Sequence, residues 1–94
     1  MKEIEFKGKV AVVTGAGSGM GLRASQEFAR LGATVVLCDV NAEALSAAVA
    51  AIKANGGKAV ACAGDVRKWD DAMRAAVEAD KLGGCDILVT CAGG

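Results

Sequence analysis

The sequence predicts an α/β domain built on a doubly wound parallel sheet, and three observations carry that reading. Four short apolar runs, Lys9–Thr14, Thr34–Cys38, Lys58–Ala63 and Ile87–Cys91, alternate with three longer segments of helical character. Glycine and asparagine stand at the joints, at Gly32 and at Asn55-Gly56-Gly57, where helices must stop. The first run passes without a break into Thr14-Gly15-Ala16-Gly17-Ser18-Gly19-Met20-Gly21, a glycine-rich turn between a strand and a helix.

Lys9–Thr14 reads as a buried strand, and the helix that follows spans about Gly21–Leu31, with Leu22, Phe28, Ala29 and Leu31 available to face a sheet. The β-branched run Thr34–Cys38 is the second strand. Asn41 offers a cap for a second helix running to Asn55, with Leu45, Ala48, Val49 and Ile52 on one face. Lys58–Ala63 is the third strand. A third helix covers roughly Trp69–Leu82, with Trp69, Met73, Ala76 and Val77 expected inward, and Ile87–Cys91 is the fourth strand. Right-handed crossovers give the strand order 3-2-1-4, with two helices on one face and one on the other. Part of the sheet is then expected to lie bare, and the fourth strand to be an open edge. The pattern is the first half of a Rossmann-like fold, an incomplete domain filling residues 1–94.

Ninety-four residues suit one small domain of marginal stability. Eleven basic and eleven acidic residues are interspersed and sum to zero charge, which argues against a nucleic-acid face or an electrostatic membrane anchor. No apolar stretch reaches the length of a membrane span, and the first residues alternate charge with single apolar side chains, so a cytoplasmic location is expected. Cys38, Cys62, Cys85 and Cys91 match no zinc spacing, and the chain has no histidine. No metal site is expected; Cys38, Cys62 and Cys91 fall in or at the end of predicted strands and are expected to serve as small apolar side chains, Cys91 as a buried filler rather than a nucleophile.

The glycine-rich turn carries the chemistry. A strand that ends in glycines and opens a helix brings bare N–H groups and a helix N-terminus together, an arrangement that cradles phosphate. The spacing Gly-x-Gly-x-x-Gly fails here, since it needs glycine at Met20 or at Leu22. Thr-Gly-x-x-x-Gly-x-Gly fits, with Thr14, Gly15, Gly19 and Gly21 in the fixed places. Gly15 then permits the tight turn, Gly19 lets a pyrophosphate approach the backbone, and Gly21 lets the helix pack closely on the sheet. Asp39 ends the second strand, where a carboxylate can accept hydrogen bonds from ribose hydroxyls and repel a 2′-phosphate, and Ser18 and Val40 stand where a basic residue for that phosphate would be sought. NAD is therefore expected over NADP, although an Asp in an ordinary strand-to-helix turn would look the same.

The Thr14–Gly21 spacing resembles that of the short-chain dehydrogenase/reductase family, and the resemblance extends from Phe6-Lys7-Gly8-Lys9 to Gly93. It implies that Gly17, Ser18 and Met20 join the loop around the cofactor. It also implies that the Asp65 carboxylate and the Val66 N–H contact the adenine; the plainer alternative is that Asp65 only helps to start the third helix. The fourth strand ends Thr90-Cys91-Ala92-Gly93 where the family usually has Asn-Asn-Ala-Gly, so Ala92 and Gly93 match and two side-chain amides are missing. The family's reaction moves a hydride between nicotinamide and an alcohol or ketone, using a serine and a Tyr-x-x-x-Lys pair beyond the fourth strand. This chain has no tyrosine, so no catalytic residue is assigned and the segment alone is expected to be inactive. The residues leave two alternatives open: a non-catalytic nucleotide-binding module and an inert truncated product. The open fourth strand makes self-association an expectation as well.

Overall fold

A computed structural model of the chain describes residues 6–91. Seven elements follow in the order β1 (Val10–Thr14), α1 (Gly19–Arg30), β2 (Thr34–Asp39), α2 (Ala42–Ala54), β3 (Lys58–Ala63), α3 (Trp69–Lys81) and β4 (Ile87–Thr90). The four strands form one sheet in the order β3-β2-β1-β4, and every pairing is parallel. Register is set at the centre, where Val12 lies between Val36 of β2 and Leu88 of β4. The expected order and all four strands are thus present. The first helix starts at Gly19, two residues earlier than the sequence suggested, inside the glycine-rich turn itself.

Because side chains alternate across a strand, odd and even positions build separate cores. Val13, Val35, Leu37 and Ala59 pack beneath α1 and α2 against Ala29, Leu45, Ala48 and Ile52. Val10, Val12, Val36, Cys38 and Cys62 pack on the other face against Ala75 and Ala79 of α3. Leu37 and Leu45 are fully buried, and each such side chain contributes about 1.5–3 kcal/mol. The Phe6 and Phe28 rings meet edge to face at 5.4 Å and close the first core near the start of β1.

One expected face is wrong. Trp69 is 77% exposed, and Met73, Ala76 and Val77 also lie on the exposed side, whereas Ala75 and Ala79 are buried against the sheet. Alanine lets the helix axis approach the strands, and the larger side chains would hold it away, so the small face wins. The bare part of the sheet is where the strand order places it. Leu88 is 63% exposed on the α3 side, and an open, mainly apolar groove of about 450 Å³ runs between α3 and β4 past Val12, Ala75 and Leu88. Among the described residues, no helix is long and apolar enough to cross a membrane.

Candidate cofactor-binding site

The carboxyl ends of β1, β2 and β3 bring the glycine-rich turn, Asp39 and Asp65 to one end of the sheet, and hydrogen bonds join their loops. The Ala16 N–H donates to the Cys38 carbonyl at 3.0 Å, and the Gly64 N–H donates to the Asp39 carbonyl at 2.9 Å. The Cys91 N–H donates to Thr14 Oγ1 at 3.2 Å, so the β1 threonine ties β4 to the same end.

The glycines divide into two kinds. Gly15 has φ +64°, and a Cβ there would lie 2.5 Å from the Cys91 carbonyl oxygen. A Cβ on Gly21 would run into the Gly15 carbonyl and lie 3.1 Å from the Ala16 Cα. These two glycines allow backbone to pass against backbone. Gly19 also has positive φ, +58°, yet a Cβ there would meet nothing within 4 Å among the described residues beyond its own helix. The space in front of Gly19 is open, and it lies at the N-terminus of α1.

That N-terminus lacks the usual side-chain partners. Ser18 is the cap residue but its hydroxyl makes no capping bond, and no acidic residue stands in the first turn. By contrast, Asn41 caps α2 by accepting from the Ala44 N–H at 3.0 Å, and α3 carries Asp70 and Asp71 in its first turn. The first N–H groups of a helix have no acceptor within it. At α1 they belong to Gly19, Met20 and Gly21, and the positive end of the helix dipole adds to them. This arrangement suits an anion. Met20 is 81% exposed beside it.

Asp39 is half-buried, with Oδ2 accepting from the Gly17 N–H at 2.9 Å and Oδ1 accepting from the Asn41 N–H at 3.0 Å. Val40 follows it, exposed. Asp65 is held differently from what an adenine contact alone would suggest. Arg67 grips both of its oxygens through Nε and a terminal nitrogen, at 2.8–3.2 Å. That guanidinium first, and then the Arg67 N–H, hold the Asp65 carboxyl down to about 2. Val66 is half-buried against the α3-side core. Ala92 and Gly93 lie outside the described residues.

Three contributors escaped the sequence reading. Asp71 Oδ2 accepts from the Asp65 N–H at 2.8 Å, and Arg74 joins Asp71 to the Ala63 carbonyl, so the first turn of α3 clamps the β3–α3 loop. The acidic first turn was the available signal. Ser25 is fully buried and its hydroxyl donates to the Gly21 carbonyl at 2.8 Å, supporting the helix just behind the glycines. Burial, with Cys62 alongside, pushes the Cys38 thiol up to about 12, so it is an inert apolar side chain as expected. Cys91, however, is only half-buried, so it is not the buried filler the sequence suggested; Cys85, outside the strands, is exposed.

The Asp65–Arg67 pair gives a pH prediction. Its folded-state value is depressed, so its contribution is present above the ordinary carboxylate value near 4. It is lost as pH falls towards the folded value of about 2. Because the Arg67 partner is 87% exposed, the effect is expected at the loop rather than in global stability. Arg67→Ala removes the guanidinium but keeps the residue 67 N–H, so the Asp65 titration should move up towards the ordinary range without fully reaching it, read by carboxyl carbon shifts in an NMR pH series; an unchanged midpoint would show that the guanidinium is not its main cause.

A parallel α/β segment with an uncapped, glycine-rich helix start at the carboxyl end of its first strand belongs to the class of folds that hold dinucleotides. Residues 9–94 match the short chain dehydrogenase family, and the chain belongs to that family. The 7alpha-hydroxysteroid dehydrogenase of Escherichia coli (strain K12) is 42% identical over 92 residues, which cover 97% of this chain and 36% of that protein. L-Sorbose reductase from Gluconobacter frateurii, solved complexed with NADPH and L-sorbose, aligns at TM-score 0.92 and 34% identity over 99% of this chain and 36% of that one. A short chain dehydrogenase/reductase from Burkholderia phymatum in complex with NAD aligns at TM-score 0.85 and 37% identity, over 92% of this chain and 31% of that one. The chain spans about a third of the length of these proteins. Their cofactors differ, so kinship alone does not choose between NAD and NADP.

Proposed function

We propose that the chain is the amino-terminal, NAD-binding part of a short-chain dehydrogenase/reductase domain. The observation that carries this reading is the open space at Gly19 in front of an α1 N-terminus without a capping side chain or first-turn acid. There the pyrophosphate would meet the free N–H groups of the Thr14–Gly21 turn, those of Ser18, Gly19 and Met20, while Gly15 and Gly21 keep the turn tight and the Gly17 N–H stays on Asp39. Asp39 would accept from the adenosine ribose beside Val40, Asp65 and Val66 would meet the adenine, and Ala92 and Gly93 would border the nicotinamide side. For Asp65 to receive the adenine amine, it would have to share its oxygens with Arg67. When bound, the cofactor supplies the hydride acceptor or donor for an alcohol or ketone. A cytoplasmic setting is part of the same reading.

The choice of NAD rests on Asp39, since a 2′-phosphate beside that carboxylate costs on the order of several kcal/mol through like-charge repulsion. Competitive calorimetric titration of NAD and NADP tests it, and Asp39→Ser with Val40→Arg should move the preference towards NADP. Tighter NADP binding by the unmodified chain would refute the assignment. The segment by itself should oxidise no alcohol and reduce no ketone, because it contains no tyrosine to transfer the proton, and general acid–base help is worth about 10²–10⁴-fold. Its bare groove beside Leu88 is where the rest of such a domain would pack, so the isolated segment should also associate on a sizing column. Sustained NADH turnover by a monomer of this mass would contradict the assignment. The same inactivity would follow if the segment were a non-catalytic nucleotide-binding module, which the chain's continuation beyond Gly94 would distinguish.

A further inference from the structure

Gly17 occupies a variable place in Thr-Gly-x-x-x-Gly-x-Gly, so that pattern gives no reason for glycine there. The structure does. A Cβ on Gly17 would lie 2.9 Å from Asp39 Oδ2 and 3.0 Å from the Ala44 Cβ. The space is taken because the Asp39 carboxylate reaches across from β2 and accepts the Gly17 N–H at 2.9 Å. Its other oxygen accepts the Asn41 N–H, and its carbonyl accepts the Gly64 N–H. One residue therefore joins the loops after β1, β2 and β3.

We propose that Asp39 is a positioning residue for the glycine-rich loop, fixing it through the Gly17 N–H independently of any contact with ribose. This rests on the cofactor reading above and adds to it. A carboxylate has about four acceptor sites on its two oxygens, and two N–H groups leave room for ribose hydroxyls. The same charged acceptor holds the loop before ligand arrives, and a loop held in its bound shape binds more tightly because less ordering remains. Asp39 then affects cofactor affinity in two separable ways. Removing its charge relieves the repulsion of a 2′-phosphate but also frees the loop, so Asp39→Ala should weaken both NAD and NADP even as the preference between them changes.

The separating probe is an NAD analogue whose adenosine carries 2′,3′-dideoxyribose, titrated calorimetrically into the full chain. If Asp39 acts on the loop, Asp39→Ala weakens the analogue by about tenfold or more, in line with the loss of a hydrogen bond to a charged group. Asp39→Asn, which keeps an acceptor oxygen, recovers much of that loss. If Asp39→Ala weakens NAD but changes the analogue less than twofold, the carboxylate acts at the ribose alone; the positioning role fails and the cofactor reading stands. If the folded wild-type chain binds neither ligand, both readings fail. Amide exchange in the ligand-free chain gives a second readout that needs no ligand. Gly17 should exchange slowly in the wild type, faster in Asp39→Ala and at an intermediate rate in Asp39→Asn. A wild-type Gly17 amide exchanging like that of an unstructured glycine overturns the positioning role.

Discussion

Gly19→Val should abolish measurable NAD binding while leaving the chain folded. Beyond its own helix, the Gly19 Cβ position meets nothing within 4 Å among the described residues, so the new side chain starts into the open space that the phosphates would need. The folded state pays only for placing a β-branched residue at φ +58°, a strain of roughly 1–2 kcal/mol. The bound state loses access to the N–H groups at the start of α1. Hydrogen bonds to a charged group contribute about 1.5–3 kcal/mol each, so losing two of them implies a fall in affinity on the order of 100-fold or more. Calorimetric titration alongside thermal unfolding separates the two effects. Wild-type affinity in an equally folded variant would remove Gly19 from the site.

Gly21→Val should do the reverse and disrupt the fold. A Cβ at Gly21 would overlap the Gly15 carbonyl oxygen and press on the Gly15 carbonyl carbon at 2.7 Å. The obstacle is backbone at the end of β1, so it cannot rotate aside as a side chain would. Either α1 lifts from the sheet, opening the core around Leu22 and Ala29, or the turn at Gly15 unwinds. Overpacking of this kind costs about 1–3 kcal/mol and sometimes more, against a total stability that for so short a chain falls near the low end of about 5–15 kcal/mol. Urea denaturation followed by circular dichroism should show a large drop in midpoint, or no folded baseline at all. A midpoint equal to that of the wild type would mean that helix and strand do not approach as closely as described.

The contrast between these two glycines was partly legible in the sequence. Position in the Thr14–Gly21 pattern already assigned Gly21 to helix packing and Gly19 to the ligand, since both roles follow from local spacing. The two central strands were legible for a similar reason: Val10–Thr14 and Thr34–Asp39 are buried on both faces and so are apolar without alternation, whereas the outer strands β3 and β4 are interrupted by exposed positions. The facing of α3 was not. Its sequence offers both a large apolar stripe at Trp69, Met73 and Val77 and a small one at Ala72, Ala75 and Ala79. Hydrophobic periodicity favours the large stripe, while close approach to a parallel sheet favours the small one. The bonds that shape the loops were hidden in another way. Asp39 and Gly17 are 22 residues apart, and nothing short of the tertiary fold puts that carboxylate against that N–H. Asp65 and Arg67, only two residues apart, did carry a local signal, and a bidentate pair between them was available to a reading of charge spacing.

Titration of NAD into the isotopically labelled chain, followed by amide resonances, tests the central proposal most directly. Saturable shifts should concentrate at Gly17–Gly21, Asp39–Val40 and Asp65–Val66, the three loops at the carboxyl ends of β1, β2 and β3, with Trp69–Lys81 and the α2 helix beyond its first turn little affected. No shift at saturating NAD in a folded chain, or shifts confined to the groove beside Leu88, would contradict a dinucleotide site at the glycine-rich turn.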